Sequence, residues 1–522
     1  MSRTPDSPAV DPIDLSVFAS RITAICEEMG AVLRRAAFSP NIRDRLDFSC
    51  AVFDASGLLS AQAAHIPVHL GSMAYAMADI VSGIDWRPGD MVVLNDPYQG
   101  GTHLPDVTLI APVYAEDSLV AFVVNRAHHA DIGAKSPGSM PLSTTLSEEG
   151  LVIAPTRLLA EGEVIDSCMQ WLLAPMRNPA VSRGDFDAQI SANRLGLARL
   201  QTLIERHGAQ RFIAWLAAYN DYAERLAASV LRDIPDGCYR FDDYLDDDGQ
   251  GQAELLIRCA LTVDQGRILA DFTGSSAQVQ GNLNCPLSVT AAAVLYVFRC
   301  LMPADIPGCA GAFRDICLRA EPGSLLDARP PAAVAAGNVE TSMRVVDAVI
   351  GALAQAVPGR LCAAGHGSMN NLALGWHEGD QPWDYYETMG GGLGAHAAGA
   401  GLDGVQAHMT NTLNTPIEVL ERNYPMRITR YALRRGSGGP GACRGGDGLL
   451  RELVFTGPAR YTLLTERRRH APWGLDGGGA GQPGENAVNN VPVPAKCQGR
   501  LGAGDCLRLA SAGGGGFGHD KA

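Results

Sequence analysis

The sequence predicts an α+β protein with mixed, largely antiparallel sheets, packed helices and more than one lobe. Three observations carry this. Short β-branched runs at 91–94, 107–113 and 119–124 are each bounded by Asn, Asp, Pro or Gly, which reads as strands joined by turns. Apolar residues recur at helical spacing over 12–37 and 178–228. Beyond Asp236 the pattern alternates apolar and polar residues, as half-buried antiparallel strands do. A chain of 522 residues has room for two or three cores. The change of character near Ile234 divides it into an N-terminal lobe, 1–235, and a Gly-rich C-terminal lobe, 236–522.

Taken in order, 12–37 places Leu15, Phe18, Ile22, Ile25, Met29 and Leu33 on one helical face, with Asp11 or Asp14 as its cap. Residues 48–53 read as a strand that turns at Asp54-Ala55-Ser56-Gly57 into a second one. His65 and His69 flank Ile66-Pro67-Val68; each is either a hydrogen-bonded loop residue or a substrate contact. After the three runs at 91–124, the stretch from His129 to Leu158 is rich in Gly, Pro and Ser and lacks periodicity, which marks it as a pocket wall. Within 178–228, Gly208 is the expected stop between two helices. The acidic run Asp242, Asp243, Asp246, Asp247 and Asp248 lacks calcium-loop spacing and reads as a solvated hairpin. Helical patterns follow at 289–301 and 343–356.

The middle meander brings chemistry together. If Ala115-Glu116-Asp117-Ser118 is a tight turn, Asp106 lies opposite the Ala127-His128 end of the next strand. The loop before Asp106, loosened by Gly100 and Gly101, carries His103 to the same end. Two imidazoles and a carboxylate suit Zn²⁺, Mn²⁺ or Fe²⁺. The alternative is that these are polar residues at a sheet edge. Asp131 is a candidate outer partner of a ligating imidazole. Asp47 stands at a strand start, and local pattern alone reads it as a solvated carboxylate.

Composition narrows the function. A formal charge of −14 argues against nucleic acid or an anionic membrane as a partner, because phosphate binding needs a basic footprint. Thirteen scattered cysteines without a CxxC pair point to reduced thiols in the cytoplasm. No apolar run reaches membrane-spanning length, and the N-terminus has no signal-peptide pattern. Nucleotide binding finds no support: GxxxxGK[ST] is absent, and the GxGxxA match at 392–397 follows no buried strand. The glycine clusters of the last third read instead as turns and close backbone approaches.

The stretches LDFSCAVFDASGLLSAQAAHIPVHLGSM, NDPYQGGTHLPDVTL, NRAHHADIGAKSPGSMP, DFTGSSAQVQGNLNCPLSVT, YYETMGGGLGA and GSGGPGACRGGDGLLREL resemble, in one order along nearly the whole chain, the hydantoinase B/oxoprolinase family. The resemblance implies a B-type subunit that works beside an A-type subunit, with ATP on that partner and not on this chain. It implies a divalent metal, zinc or manganese, on Asp47, His103, Asp106 and His128. His129, Asp131 and Arg299 match family motifs as outer or substrate contacts, and His65 and His69 join Arg299 as candidate substrate-binding residues.

The expected reaction is hydrolysis of a cyclic amide, hydantoin or 5-oxoproline in type, phosphorylated by the partner and attacked by a metal-bound hydroxide. Asp131, Glu149 and His129 are the candidate proton-transfer groups. Related ketone carboxylases of the acetone and acetophenone type offer an alternative reaction, and a non-catalytic metal in a structural partner subunit offers another. The resemblance also implies a heterotetramer or larger assembly.

Overall fold

The computed structural model describes residues 10–63, 66–378 and 382–519. The first helix, α1 (Pro12–Ala36), starts where Asp11 accepts a hydrogen bond from Ile13 N at 2.7 Å. Asp11→Ala is expected to cost the helix about 1 kcal/mol, read as a lower denaturant midpoint. The predicted stripe Phe18, Ile22, Ile25, Met29 and Leu33 is buried. Phe18 meets the rings of Phe212 and Trp215 at 5.7 and 5.1 Å. Those two belong to α4 (Ala209–Arg232), which follows α3 (Pro179–His207) across Gly208, whose φ of 82° reverses the chain.

Strands β1 (Phe48–Asp54), β2 (Leu59–Gln62), β3 (Met91–Leu94), β4 (Asp106–Ala115), β5 (Ser118–His128), β6 (Thr156–Ala160) and β7 (Glu163–Val164) form one antiparallel sheet, ordered β2-β1-β5-β4-β3-β6-β7. Alternation sorts its side chains: Cys50, Val52, Leu109 and Val123 pack under α1 and α3, whereas Phe53, Val92, Ile110 and Phe122 pack against the other face. Helix α2 (Pro67–Ser82) covers that face through Met73, Met77 and Ile80. The sheet is therefore buried on both sides, which is why its strands read as unbroken apolar runs.

Residue 235 falls in the connector between α4 and the hairpin β8 (Gly237–Asp247) and β9 (Ala253–Asp264), part of a four-stranded sheet. This sheet packs on α5 (Leu287–Leu301) and α6 (Ser342–Ala356). Ile66, Val68 and Met140 join the same core, so the two halves share buried surface. Two further sheets, of four and five strands, enclose a separate core around Leu374, Tyr385, Leu453, Leu463 and Leu507.

The acidic hairpin is not solvated as the sequence led us to expect. Asp243, Asp246 and Asp248 are buried. Asp243 accepts from Arg467 Nη2 at 3.0 Å and Trp473 Nε1 at 3.1 Å, and lies 3.4 Å from Arg344 Nη1. Asp246 accepts the backbone N–H groups of Arg468 and His470 at 2.6 and 3.0 Å. Buried charges demand partners, and these come from over 100 residues away, beyond the reach of a local pattern.

The glycine clusters make close backbone approaches, as expected. A Cβ on Gly514 would lie 2.1 Å from Leu393 O, and one on Gly392 2.0 Å from Gly446 O. The segment 511–517 is thereby threaded between distant loops, with Gly514 N, Gly515 N, Gly516 N and Phe517 N donating to Gly446, Ala364, Gly479 and Cys443 carbonyls. Among the described residues no helix is long and apolar enough to cross a membrane.

Candidate metal centre

The β4–β5 hairpin turns at Glu116-Asp117, with Ala115 paired to Ser118 and Asp106 paired to His128. This is the register read from the sequence. Gly100 has φ 99°, and a Cβ on Gly101 would lie 2.3 Å from Asn95 O, so the loop before β4 needs both glycines. Asn95 pins that loop by donating to Leu104 O at 2.7 Å and Leu151 O at 2.9 Å. As a result His103 Nε2 and His128 Nδ1 each lie 3.1 Å from Asp106 Oδ1. All three residues are buried and offer ligand atoms within 4.8 Å of one another.

The outer oxygen of Asp106 is also occupied. Its Oδ2 accepts from Thr102 Oγ1 at 2.6 Å and Asn338 Nδ2 at 3.3 Å, and lies 3.2 Å from His69 Nε2. Asp47 precedes β1, which pairs with β5, and His128 N donates to Asp47 O at 3.0 Å. Its carboxylate sits 3.9 Å from His69 Nε2 and 3.7 Å from Arg45 Nη2. Arg45 donates to Tyr386 O at 2.9 Å and lies over the Tyr386 ring, which stacks on His128 at 4.9 Å. Asp47, His69, His103, Asp106 and His128 together line a cavity of ≈ 20 Å³, closed by Asn338, Val339, Met369, Tyr386, Met409 and Thr410 from the second half.

These residues fit a divalent ion. His103 Nε2 is buried and not aligned with Asp106 as a hydrogen bond, and His128 Nε2 is buried without a partner. Orphaned imidazole nitrogens beside carboxylates form a nitrogen and oxygen donor set suited to zinc, manganese or iron. Against the cost of burial, His103 and then His69 hold the Asp106 carboxyl well below the usual range. Burial pushes the His128 imidazole down. At His103 burial also opposes the charged form, but the adjacent Asp106 and the Ala335 carbonyl outweigh it and raise the group.

The other sequence candidates occupy different surroundings. His69 lies inside the cavity, with Nδ1 3.4 Å from Ser49 Oγ, and His65 lies outside the described residues. His129, one residue past His128, faces the opposite way. Its Nε2 lies 2.9 Å from Gln189 Oε1 and its ring rests on Phe186. Asp131 accepts from Gly133 N at 2.8 Å and Arg177 N at 2.5 Å, and lines a separate cleft with Arg177 and Asp384. Arg299 donates from the end of α5 to Pro303 O at 3.1 Å and Ala304 O at 3.4 Å.

Glu149 stands behind the site. It accepts from Ser143 Oγ at 2.7 Å, Val334 N at 2.9 Å and Ala335 N at 3.0 Å, while Ala335 O lies 3.1 Å from His103 Nδ1. Burial pushes its carboxyl up to about 7. The native state thus binds a proton there that the unfolded chain releases near pH 4.5, so stability falls as pH rises through that interval. Glu149→Gln mimics the protonated form and is expected to gain on the wild type by on the order of 1 kcal/mol per pH unit between those values, measured as denaturant midpoints at pH 5 and pH 8.

Sequence reasoning missed Thr102, Arg45, Asn338 and Tyr386. Tyr386 does lie within YYETMGGGLGA, one of the stretches that carried the resemblance. Asn338 sits in a π-helical turn, Gly337–Thr341, a feature frequent at functional sites but invisible in sequence.

The chain belongs to the hydantoinase B/oxoprolinase family, whose model matches residues 11–520. It is 39% identical over 520 residues to an uncharacterised protein of Methanocaldococcus jannaschii, covering 98% of this chain and 91% of that one. It is 38% identical over 544 residues to 5-oxoprolinase 1 of Arabidopsis thaliana, of which it spans 42% while 98% of this chain is covered. A Pseudomonas sp. protein described as a candidate B-type subunit of a D-/L-hydantoinase is 31% identical, with 98% of this chain and 91% of that one covered. Among solved structures, the ATP-dependent caprolactamase of Pseudomonas jessenii superposes with a TM-score of 0.90 at 28% identity over 98% of this chain and 92% of that one. Acetone carboxylase shares the fold, with a TM-score of 0.86 at 18% identity over 97% and 76% of the two chains.

Proposed function

We propose that this chain is the metal-holding B-type subunit of an ATP-dependent cyclic amidase, acting in the cytoplasm beside an A-type chain that holds ATP and activates the amide. The observation that carries this reading is the convergence of His103, Asp106 and His128, with Asp47 beside them, in a buried cavity closed by the second half of the chain. The family and the relatives named for hydantoinase, 5-oxoprolinase and caprolactamase supply the substrate class. The Pseudomonas sp. relative, itself named as one component of a hydantoinase, supports pairing with an A-type chain, in a heterotetramer or larger assembly.

Asp47, His103, Asp106 and His128 would hold the ion. A divalent ion supplies Lewis acidity toward a carbonyl and acidifies water. The chain's own groups set the stage for that chemistry. Thr102, Asn338 and His69 hold Asp106 Oδ2, which keeps Oδ1 directed between the two imidazoles. The Ala335 carbonyl holds a proton on His103 Nδ1, leaving the Nε2 lone pair for the ion. Tyr386 and Arg45 fix the His128 ring and the Asp47 carboxylate. Of the candidate proton-transfer residues, Glu149 connects to the site through the Ala335 peptide and acts as a positioning residue. His69 is the imidazole inside the cavity not assigned to the ion, and we assign it the proton transfer.

Co-expression with a neighbouring A-type chain, followed by assays of ATP-dependent loss of hydantoin, 5-oxoproline, lactams and ketones, tests the reading. Ring opening without bicarbonate incorporation is the expected result. Bicarbonate incorporation would instead establish the carboxylase chemistry. A second reading, an ion that only holds the fold, draws support from the small closed cavity. Loss of the folded state together with the ion on replacement of Asp106, with activity retained in whatever fraction stays folded, would establish that reading.

A further inference from the structure

The π-helical turn Gly337–Thr341 reaches the candidate centre by two routes. The first is direct. Asn338 Nδ2 donates to Asp106 Oδ2 at 3.3 Å, and Asn338 and Val339 both face the ion cavity. The second starts at the next residue, Glu340, which is buried behind that wall. Its Oε1 accepts from Met369 N at 3.0 Å and from Asn371 Nδ2 at 2.6 Å. Asn371 Oδ1 in turn accepts the Tyr386 hydroxyl at 2.7 Å, and Asn371 Nδ2 also donates to Leu464 O at 2.7 Å. Tyr386 and Met369 line the cavity, and the Tyr386 ring stacks on His128 with centroids 4.9 Å and planes 15° apart. Glu340 therefore reaches the His128 ligand through Asn371 and Tyr386, as Asn338 reaches the Asp106 ligand by itself.

The strand Asn371–Trp376 pairs with Trp383–Glu387 on one side and Ala459–Leu464 on the other. This ladder sets where the Tyr386 backbone lies. The bond to Asn371, with Arg45 over the ring at 4.9 Å, sets how the ring lies. Burial, and after it the nearby Glu466, push the Glu340 carboxyl up to about 8, against the Ser368 hydroxyl, Lys496 and Arg468. Near neutral pH the side chain is thus an uncharged acid with the shape of glutamine, one oxygen accepting and the other end able to donate. It orients Asn371 without adding a negative charge behind the ion.

We propose that Glu340 is a positioning residue of the ion centre: through Asn371 and Tyr386 it fixes the plane of the His128 imidazole, while Asn338 of the same turn fixes Asp106, so that one π-helical turn sets the coordination geometry from two sides. This rests on the ion-holding reading above and adds a residue to it that touches neither ion nor substrate.

Mn²⁺ binding to the full chain, read as affinity and as the electron paramagnetic resonance spectrum of the bound ion, tests it without turnover. Glu340→Met keeps the volume and removes the acceptor; Tyr386→Phe keeps the stacked ring and removes only the hydroxyl. Loss of an outer partner typically costs 10–100-fold in metal affinity, so each is expected to weaken Mn²⁺ by about tenfold and to change its zero-field splitting. The double variant is expected to lose no more than about tenfold, because both substitutions cut one line. Glu340→Gln is expected to restore the wild-type affinity and spectrum. If Glu340→Met does not fold, Asn371→Leu takes its place in the cycle and cuts the same line at its middle. Wild-type affinity and spectrum in Tyr386→Phe overturn the proposal. So do losses that multiply to about 100-fold in the double variant, which would put the two residues on separate routes, and so does a Glu340→Gln chain no better than Glu340→Met. In all three cases the wild-type chain still binds Mn²⁺ and the ion-holding reading stands; a wild-type chain that binds none overturns both.

Discussion

Replacing Asp106 by asparagine is expected to strip the chain of its divalent ion and to end amide turnover in the assembled complex, while the partner's phosphorylation step continues. Asp106 is the residue on which the centre closes, because its Oδ1 faces both imidazoles and its Oδ2 is held by Thr102 and Asn338, with His69 beside it. Loss of an outer partner alone typically costs 10–100-fold in metal affinity, so loss of the ligand charge is expected to exceed about 100-fold. His103→Ala should behave alike. Elemental analysis after dialysis against a metal buffer gives the first readout, and ATP-dependent ring opening gives the second. Full occupancy in either variant would remove the centre from the account. The same experiment has a pH signature. Asp106 and the Ala335 carbonyl raise His103, and an ion must displace the proton that His103 Nε2 then carries. Ion affinity is therefore expected to climb with pH until His103 is neutral.

Asp347→Ala is expected to destabilise the fold by roughly 3–5 kcal/mol, the cost of leaving a buried charge without its partner. Asp347, on α6, pairs with Arg467, which in turn reaches Asp243 of β8 at 3.0 Å. Arg344 lies 3.4 Å from Asp243 and 3.5 Å from Glu466, and Lys496 also pairs with Glu466. Removing one carboxylate leaves the Arg467 guanidinium to Asp243 alone, which Arg344 also shares, in a site where burial opposes charge. The readout is a lower denaturant midpoint with the ion still bound at equilibrium in native conditions. A midpoint shift below about 1 kcal/mol, as for an exposed pair, would show that water reaches the network.

What the sequence made legible follows the distance along the chain over which each contact forms. The turn at Glu116-Asp117 fixes the register of the hairpin, so the pairing of Asp106 with His128 could be read from a dozen neighbouring residues. His103 followed because the two-glycine loop is just as local. Asp47 could not be reached in this way: it arrives through pairing of β1 with β5, and only the family resemblance raised it. The wall from Asn338 to Thr412 comes from more than 200 residues away and left no local trace. His129 and Asp131 show a different limit. They share a motif with His128, yet strand alternation and the Arg177 contact turn them elsewhere. The acidic hairpin erred for the same reason as Asp47, since its arginines lie far along the chain.

Threading of 511–517 between the loops at 364, 393, 446 and 479 has a kinetic consequence. Those contacts join the last residues to segments tens to more than a hundred positions earlier, so the contact order of this lobe is high and its assembly slow. The C-terminal glycines act as a keystone. Until they are in place the carbonyls of Ala364, Cys443, Gly446 and Gly479 lack these donors, and a methyl group at Gly514 would collide with Leu393 O rather than seat the arch.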